Sequence, residues 1–285
     1  QATMGPRMLQ TNPTRADVDK PDTSPVAQAM HLNEGEVLQI VKEALRHGRL
    51  RLAFQPVVMA ADPAKVGFQE GLIRVLDAAG RPIPAATFMP QVETLELGRE
   101  IDCASLGLGL RTLSAHPDLR LSINMSARSI GYAKWVRILR TALTENPNLA
   151  GRLILEITEN SAMLLPEIVS AFMRLWGARG VAFALDDYGA GSLSIPALHD
   201  FSFDILKIDG RFIRGIQHSS RQQTITASLL AVSKQMGTLC VAESVETAAE
   251  GAFLNALGVD LLQGYAFGAP RVEPAWLQTK MRKTA

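Results

Sequence analysis

Residues 185–191 read LDDYGAG, two adjacent carboxylates placed where the apolar run VAFAL ends. Adjacent like charges repel, so such a pair needs a turn, a cap or a cation to hold it. A turn accounts for one Asp and for the glycines that follow. The second gains meaning from the rest of the chain, where other β-rich stretches end the same way. Gln55, Glu70, Asn124, Glu156, Lys207, Glu243 and Gln263 each stand in or just after the last apolar residues of such a stretch, as Asp186 and Asp187 do. Singly, each has an ordinary explanation: a solvated rim acid, a lysine reaching for water, an asparagine in a turn. Eight positions in register imply a common mouth, and so many acids at one mouth repel unless cations sit among them. Glu70, Asn124, Glu156, Asp186 and Asp187 are all oxygen donors, with no His or Cys, which favours Mg²⁺ or Mn²⁺ over zinc. Five such ligands suit two ions better than one. Two ions about 3.5–4 Å apart form the clamp for in-line displacement at phosphorus, with Asp187 extending the site to the second.

The elements that must position these groups are short strands and helices. Eight β-rich stretches recur: RLAFQPVV, VGFQEGLIRV, LRLSINMS, RLILEITE, VAFALDD, FDILKID, LCVAESVE and LLQGYAF. From the second onward the intervening segments mostly carry helical spacing, as in 99–116, 161–179 and 220–236. Strands alternating with helices predict an α/β fold with a mainly parallel sheet, and eight units close a (β/α)8, TIM-like barrel. All parallel strands then deliver their C-terminal ends to one face. Only MAADPAK joins the first two strands, too little for a crossover helix, so that first strand pair is expected to be antiparallel. Ahead of it, EGEVLQIVKEALRHGRL predicts an entry helix closed by a basic turn at Gly48.

At 285 residues and 47% hydrophobic, the chain is long enough for one sizeable core. A formal net charge of +1 argues against a strongly cationic nucleic-acid binder. Cys103 and Cys240 form no CxxC or Cys/His pattern and are expected to be reduced core residues of a cytoplasmic protein. No apolar run is long enough to span a bilayer, and the start has no signal-peptide pattern. Residues 1–32, rich in Pro, Thr and Asp without a period, are expected to be disordered tag or linker, leaving residues 33–285 as the barrel domain.

In order along the chain, FQPVV, EGLIR, SINMSAR, LEITEN, LDDYGAG, LKID, AESVET and QGYAFGAP resemble the motifs of the EAL-domain cyclic di-GMP phosphodiesterases, from Gln55 to Pro270. The resemblance implies hydrolysis of one phosphodiester bond of cyclic di-GMP to linear pGpG with two divalent ions, Ca²⁺ being inhibitory. It implies Glu70, Asn124, Glu156, Asp186 and Asp187 as metal ligands, and Glu243 as general base or water-positioning acid. Lys207 would hold nucleophile and substrate oxygen, and Glu159 would anchor the loop after Asp187. Gln55 and Arg74 would contact substrate, Arg74 at a phosphate, and Gln263 would stand behind the metals or meet a metal-held water. A homodimer and an upstream sensory or GGDEF domain are further implications, with a full-length protein that could be membrane-tethered. The chain departs from the pattern with Gly71 for Ala, Tyr188 for Phe, Ser244 for Gly, and GSLSI at 191–195 in place of G-Y-S-S-L. The alternatives are a catalytically weak or inactive receptor for cyclic di-GMP, or a metal-free interaction module. A general nuclease lacks a basic stripe with interleaved aromatics.

Overall fold

A computed structural model describes residues 34–191 and 193–278. Its strands are β1 (Leu50–Met59), β2 (Asp62–Leu76), β3 (Pro82–Pro84), β4 (Leu121–Asn124), β5 (Leu153–Thr158), β6 (Ala182–Tyr188), β7 (Ile205–Ile208), β8 (Leu239–Ala242) and β9 (Leu261–Gln263). They form one sheet in the order β1-β9-β8-β7-β6-β5-β4-β2-β3, and a further β1–β2 pairing closes eight of them into a barrel. Strand β1 is antiparallel to both its neighbours, β2 and β9, while β2 and β4 to β9 run parallel. The eight expected strands and the antiparallel first pair are therefore present. The short β3, paired along the end of β2, is an addition that a three-residue PIP segment gave no reason to expect.

The helices are α1 (Glu34–Arg46), α2 (Ala85–Val92), α3 (Glu96–Ala115), α4 (Ala133–Glu145), α5 (Glu159–Leu164), α6 (Pro166–Gly177), α7 (Ile195–Leu198), α8 (Ser220–Gln235), α9 (Ala248–Leu257) and α10 (Ala275–Gln278). The single helix expected over 161–179 is two. Pro166 stands at the first turn of α6 and disfavours helical backbone at Leu165, whose φ of −145° and ψ of 59° break the run. The expectation for residues 1–32 lies outside the described residues, which begin with α1. That helix buries Val37, Val41 and Ala44 in the core shared with the barrel's outer face. No helix among the described residues is long and apolar enough to cross a membrane.

Strand side chains alternate between the two faces of a sheet, and here the alternation divides the core. Leu155, Phe183, Leu206, Cys240 and Leu262 face outward, packed with helical side chains such as Trp135, Phe172 and Trp176. Val57, Phe68, Ile154, Ala184, Ile205, Val241 and Leu261 form a separate cluster inside the barrel. On every parallel barrel strand the residue two positions beyond this inner layer is polar: Glu70, Asn124 (after Ser122), Glu156, Asp186, Lys207, Glu243 and Gln263. On the reversed β1 the partner of Val57 lies two positions earlier, at Gln55. The inside of the barrel is thus an apolar floor under a layer of eight polar side chains.

Candidate active site

Lys207 is the hub of the polar layer. It is fully buried, with Nζ 2.8 Å from Glu156 Oε2, 2.7 Å from Glu243 Oε1, and 3.2 Å from both Glu70 Oε2 and Asp186 Oδ1. Glu70 is saturated with donors. Asn124 Nδ2 donates to Oε1 at 2.8 Å, and Gln263 Nε2 to Oε2 at 2.6 Å. Gln263 Nε2 also reaches Gln55 Oε1 at 3.1 Å, and Gln55 Nε2 donates to the Gly268 carbonyl at 3.1 Å. The reversed strand β1 is thereby tied to the acids through Gln263.

The charges do not balance, and the titration of the groups reflects it. Burial raises the Glu70 carboxyl, but the Lys207 charge and the donors from Gln263 and Asn124 outweigh it and hold the group below the usual range. Glu156 is pushed up to about 8, first by burial and then by the Glu70 charge. Burial and Asp186 push Glu243 well above the usual range, and burial with Asp186 and Asp209 lifts Asp187 to about 6. Burial opposes the charge on Lys207, yet the surrounding carboxylates keep the ammonium protonated. One ammonium is paired with four acids beside a fifth, Asp187, so the remainder needs protons or a further cation. The fit to a cation is direct: Glu156 Oε1 is buried with no hydrogen-bond partner, and the whole donor set is oxygen.

Adjacent residues on a strand face opposite ways, yet Asp186 and Asp187 both reach the mouth. The pairing of β6 with β7 shifts register between Leu185 and Tyr188, and Asp187 adopts a left-handed φ of 58°. This bulge turns the second carboxylate back, and oxygens of Asp186, Asp187 and Glu243 all lie within 4.8 Å of one another. Sequence reasoning gave Glu243 the role of general base or water-positioning acid; the geometry also groups its carboxylate with those of the two aspartates. Glu159 does not touch the acids. Its Oε1 accepts from Gly189 N at 3.0 Å and its Oε2 from Gly191 N at 2.6 Å, so it anchors the loop that follows Asp187. A side chain at 191 would place Cβ 2.3 Å from Glu159 Oε2, which is why glycine stands there.

Gly71, the departure from the Ala of E-A-L, leaves no void. A Cβ there would lie 2.8 Å from Ile123 Cδ1, which fills the position where a methyl would sit. Beside the acids opens a cleft of about 430 Å³, lined among others by Gln55, Arg74, Glu243 and Gln263. It is also lined by Arg214, Ser244 and Tyr265, to which no role was assigned from sequence. Arg214 in RFIRGI reads as an ordinary solvated cation, and only the fold brings it to the mouth. Larger grooves of about 580 and 640 Å³ lie on the helical outside, away from these acids.

The EAL domain profile matches residues 38–270. The chain belongs to the EAL domain family. The bifunctional diguanylate cyclase/cyclic di-GMP phosphodiesterase MucR of Pseudomonas aeruginosa is 31% identical over 250 residues, 85% of this chain and 36% of that protein. The cyclic di-GMP phosphodiesterase NbdA of the same organism is 30% identical over 235 residues, 81% of this chain and 30% of that protein. The chain thus spans about a third of the length of these relatives. Among solved EAL structures, the c-di-GMP complex of the PaMucR phosphodiesterase superposes with a TM-score of 0.72 at 29% identity, covering 85% of this chain and 99% of that one. The EAL domain of FimX from Pseudomonas aeruginosa, bound to c-di-GMP, gives a TM-score of 0.76 at 24% identity, over 84% of this chain and 98% of that one, a likeness of fold.

Proposed function

We propose that this EAL domain is a metal-dependent phosphodiesterase that hydrolyses cyclic di-GMP to linear pGpG. The observation that carries the reading is the convergence of Glu70, Glu156, Asp186 and Glu243 on the buried Lys207, with a Glu156 oxygen left unpartnered. Relatives named as cyclic di-GMP phosphodiesterases support the substrate. Glu70, Asn124, Glu156, Asp186 and Asp187 would hold two divalent cations, Mg²⁺ or Mn²⁺. Bound there, the ions would polarise the phosphoryl oxygens and lower the pKa of the attacking water. Lys207 and Glu243 orient that water, and Glu243 takes its proton as the new P–O bond forms. The bond to the 3′ oxygen breaks and that oxygen takes a proton from solvent water, leaving a 3′ hydroxyl and a 5′ phosphate. Glu159 acts through the loop it anchors, and Arg74 suits a phosphate as a planar cation with several donors. The domain works in the cytoplasm as a homodimer, downstream of a sensory or GGDEF domain in the whole protein. The covering face for the dimer is the exposed apolar strip of Leu164, Leu165, Ile168 and Leu175 on and beside α5 and α6.

The test is product analysis of cyclic di-GMP incubated with the chain and Mg²⁺. Appearance of pGpG, abolished by a chelator, is the expected result. Unchanged cyclic di-GMP with calorimetric binding would make the domain a receptor; neither binding nor turnover would leave an interaction module.

A further inference from the structure

Three departures and oddities at the rim form one device. Ser244 stands beside Glu243 with a left-handed φ of 56°, a conformation that strains a non-glycine residue. Its hydroxyl accepts from Arg214 Nη2 at 3.1 Å, while Arg214 Nε lies 3.2 Å from Glu246 Oε1. Gly210 has room for no side chain, because a Cβ there would lie 2.4 Å from Ser244 Oγ and 2.5 Å from its Cβ. Gly210 therefore gives Ser244 its place, and Ser244 with Glu246 holds Arg214 at the cleft wall. Stability does not explain the arrangement: the side chains of Arg214 and Glu246 are 57% and 55% exposed, and such ion pairs contribute little.

A cyclic dinucleotide carries two phosphates, and only one can lie at the acids. Arg74 and Arg214 are the two guanidinium groups lining the cleft. Arg74 shares β2 with Glu70 and feels its charge. Arg214 enters the same cleft from a different element, held between Ser244 and Glu246.

Building on the phosphodiesterase reading, we propose that Arg214 is a substrate-binding residue that holds the phosphate not being cleaved, with Ser244 as its positioning residue. The test compares wild type with Arg214→Ala, Arg214→Lys and Ser244→Gly on cyclic di-GMP and on bis(p-nitrophenyl) phosphate, which has one phosphate only. Losing a charge-assisted contact raises KM for cyclic di-GMP about tenfold in Arg214→Ala with kcat little altered, and Arg214→Lys recovers part of it. The fall in kcat/KM is at least fivefold smaller for bis(p-nitrophenyl) phosphate. Ser244→Gly relieves the backbone and raises Tm, yet also raises KM, a pairing that a purely structural serine would not give. An unaltered KM in Arg214→Ala, or equal losses on both substrates, would overturn the proposal. A wild type that binds cyclic di-GMP without turnover carries the same comparison in Kd; one that neither binds nor hydrolyses it removes the parent reading and this proposal together.

Discussion

Lys207 and Asp102 show how single buried charges set the behaviour of this chain. Removing Lys207, the one cation paired with the inner acids among the described residues, leaves buried carboxylates unpaired, a loss of about 3–5 kcal/mol for one-sided removal. Lys207→Met is therefore expected to lower Tm by about 10 °C in chelator, and Mg²⁺ should recover more of it than it adds to wild type. Equal gains from Mg²⁺ in the two proteins would show that the ion does not share these acids with Lys207. Asp102 is buried on α3 and accepts from Ser126 N at 2.9 Å and from Ser129 Oγ at 2.6 Å. Burial lifts its carboxyl to about 6 despite these donors. Its folded pKa lies above the unfolded one, so the neutral form favours the fold. That stability is full below about pH 4 and is lost as pH rises through about 6, a change on the order of 3 kcal/mol. Asp102→Asn keeps an acceptor without the charge. It is expected to match wild type near pH 4 and exceed it at pH 7 in urea midpoints; a less stable variant at pH 7 would refute the sign. At this scale the candidate ligands were legible because each is a polar residue ending an apolar run. Arg214 was not, because nothing local distinguishes a rim cation from a solvated one.

At the scale of elements, the strands were legible through their period of two. The same period places Glu70, Glu156, Asp186, Lys207 and Glu243 on the inner face, since each follows an inward apolar residue or its equivalent by two positions. Asp187 breaks the rule, and only the bulge in β6 explains how it turns inward. The division of 161–179 into two helices follows from Pro166 and was readable in hindsight. The loop after β6 depends on Glu159 and on the space at Gly191. Gly191→Ala should therefore mimic Glu159→Ala, since either change separates the carboxylate from the loop amides. Faster hydrogen exchange at residues 189–191 in both variants, with a parallel fall in turnover, is the expected readout. Slow exchange in Gly191→Ala would show that the loop has another anchor.

For the whole molecule, Leu164, Leu165, Ile168 and Leu175 are exposed apolar side chains on and beside α5 and α6. If they seat a second copy, Leu175→Glu should convert a dimer to a monomer in light scattering while leaving the Tm within about 2 °C, as a surface change does. A dimer that persists places the interface elsewhere. The apolar floor beneath the acids has a different consequence, one of traffic. Phe68, Ile154, Ile205, Val241 and Leu261 plug the barrel beneath the acids, so among the described residues the site opens on the cleft side. On the phosphodiesterase reading, cyclic dinucleotide, linear product, ions and water would all pass through that opening, and none could leave at the back while another enters at the front. Linear product must then block the doorway to new substrate, and added pGpG is expected to inhibit competitively, raising apparent KM without lowering the limiting rate. A mixed pattern would mean that a second exit exists.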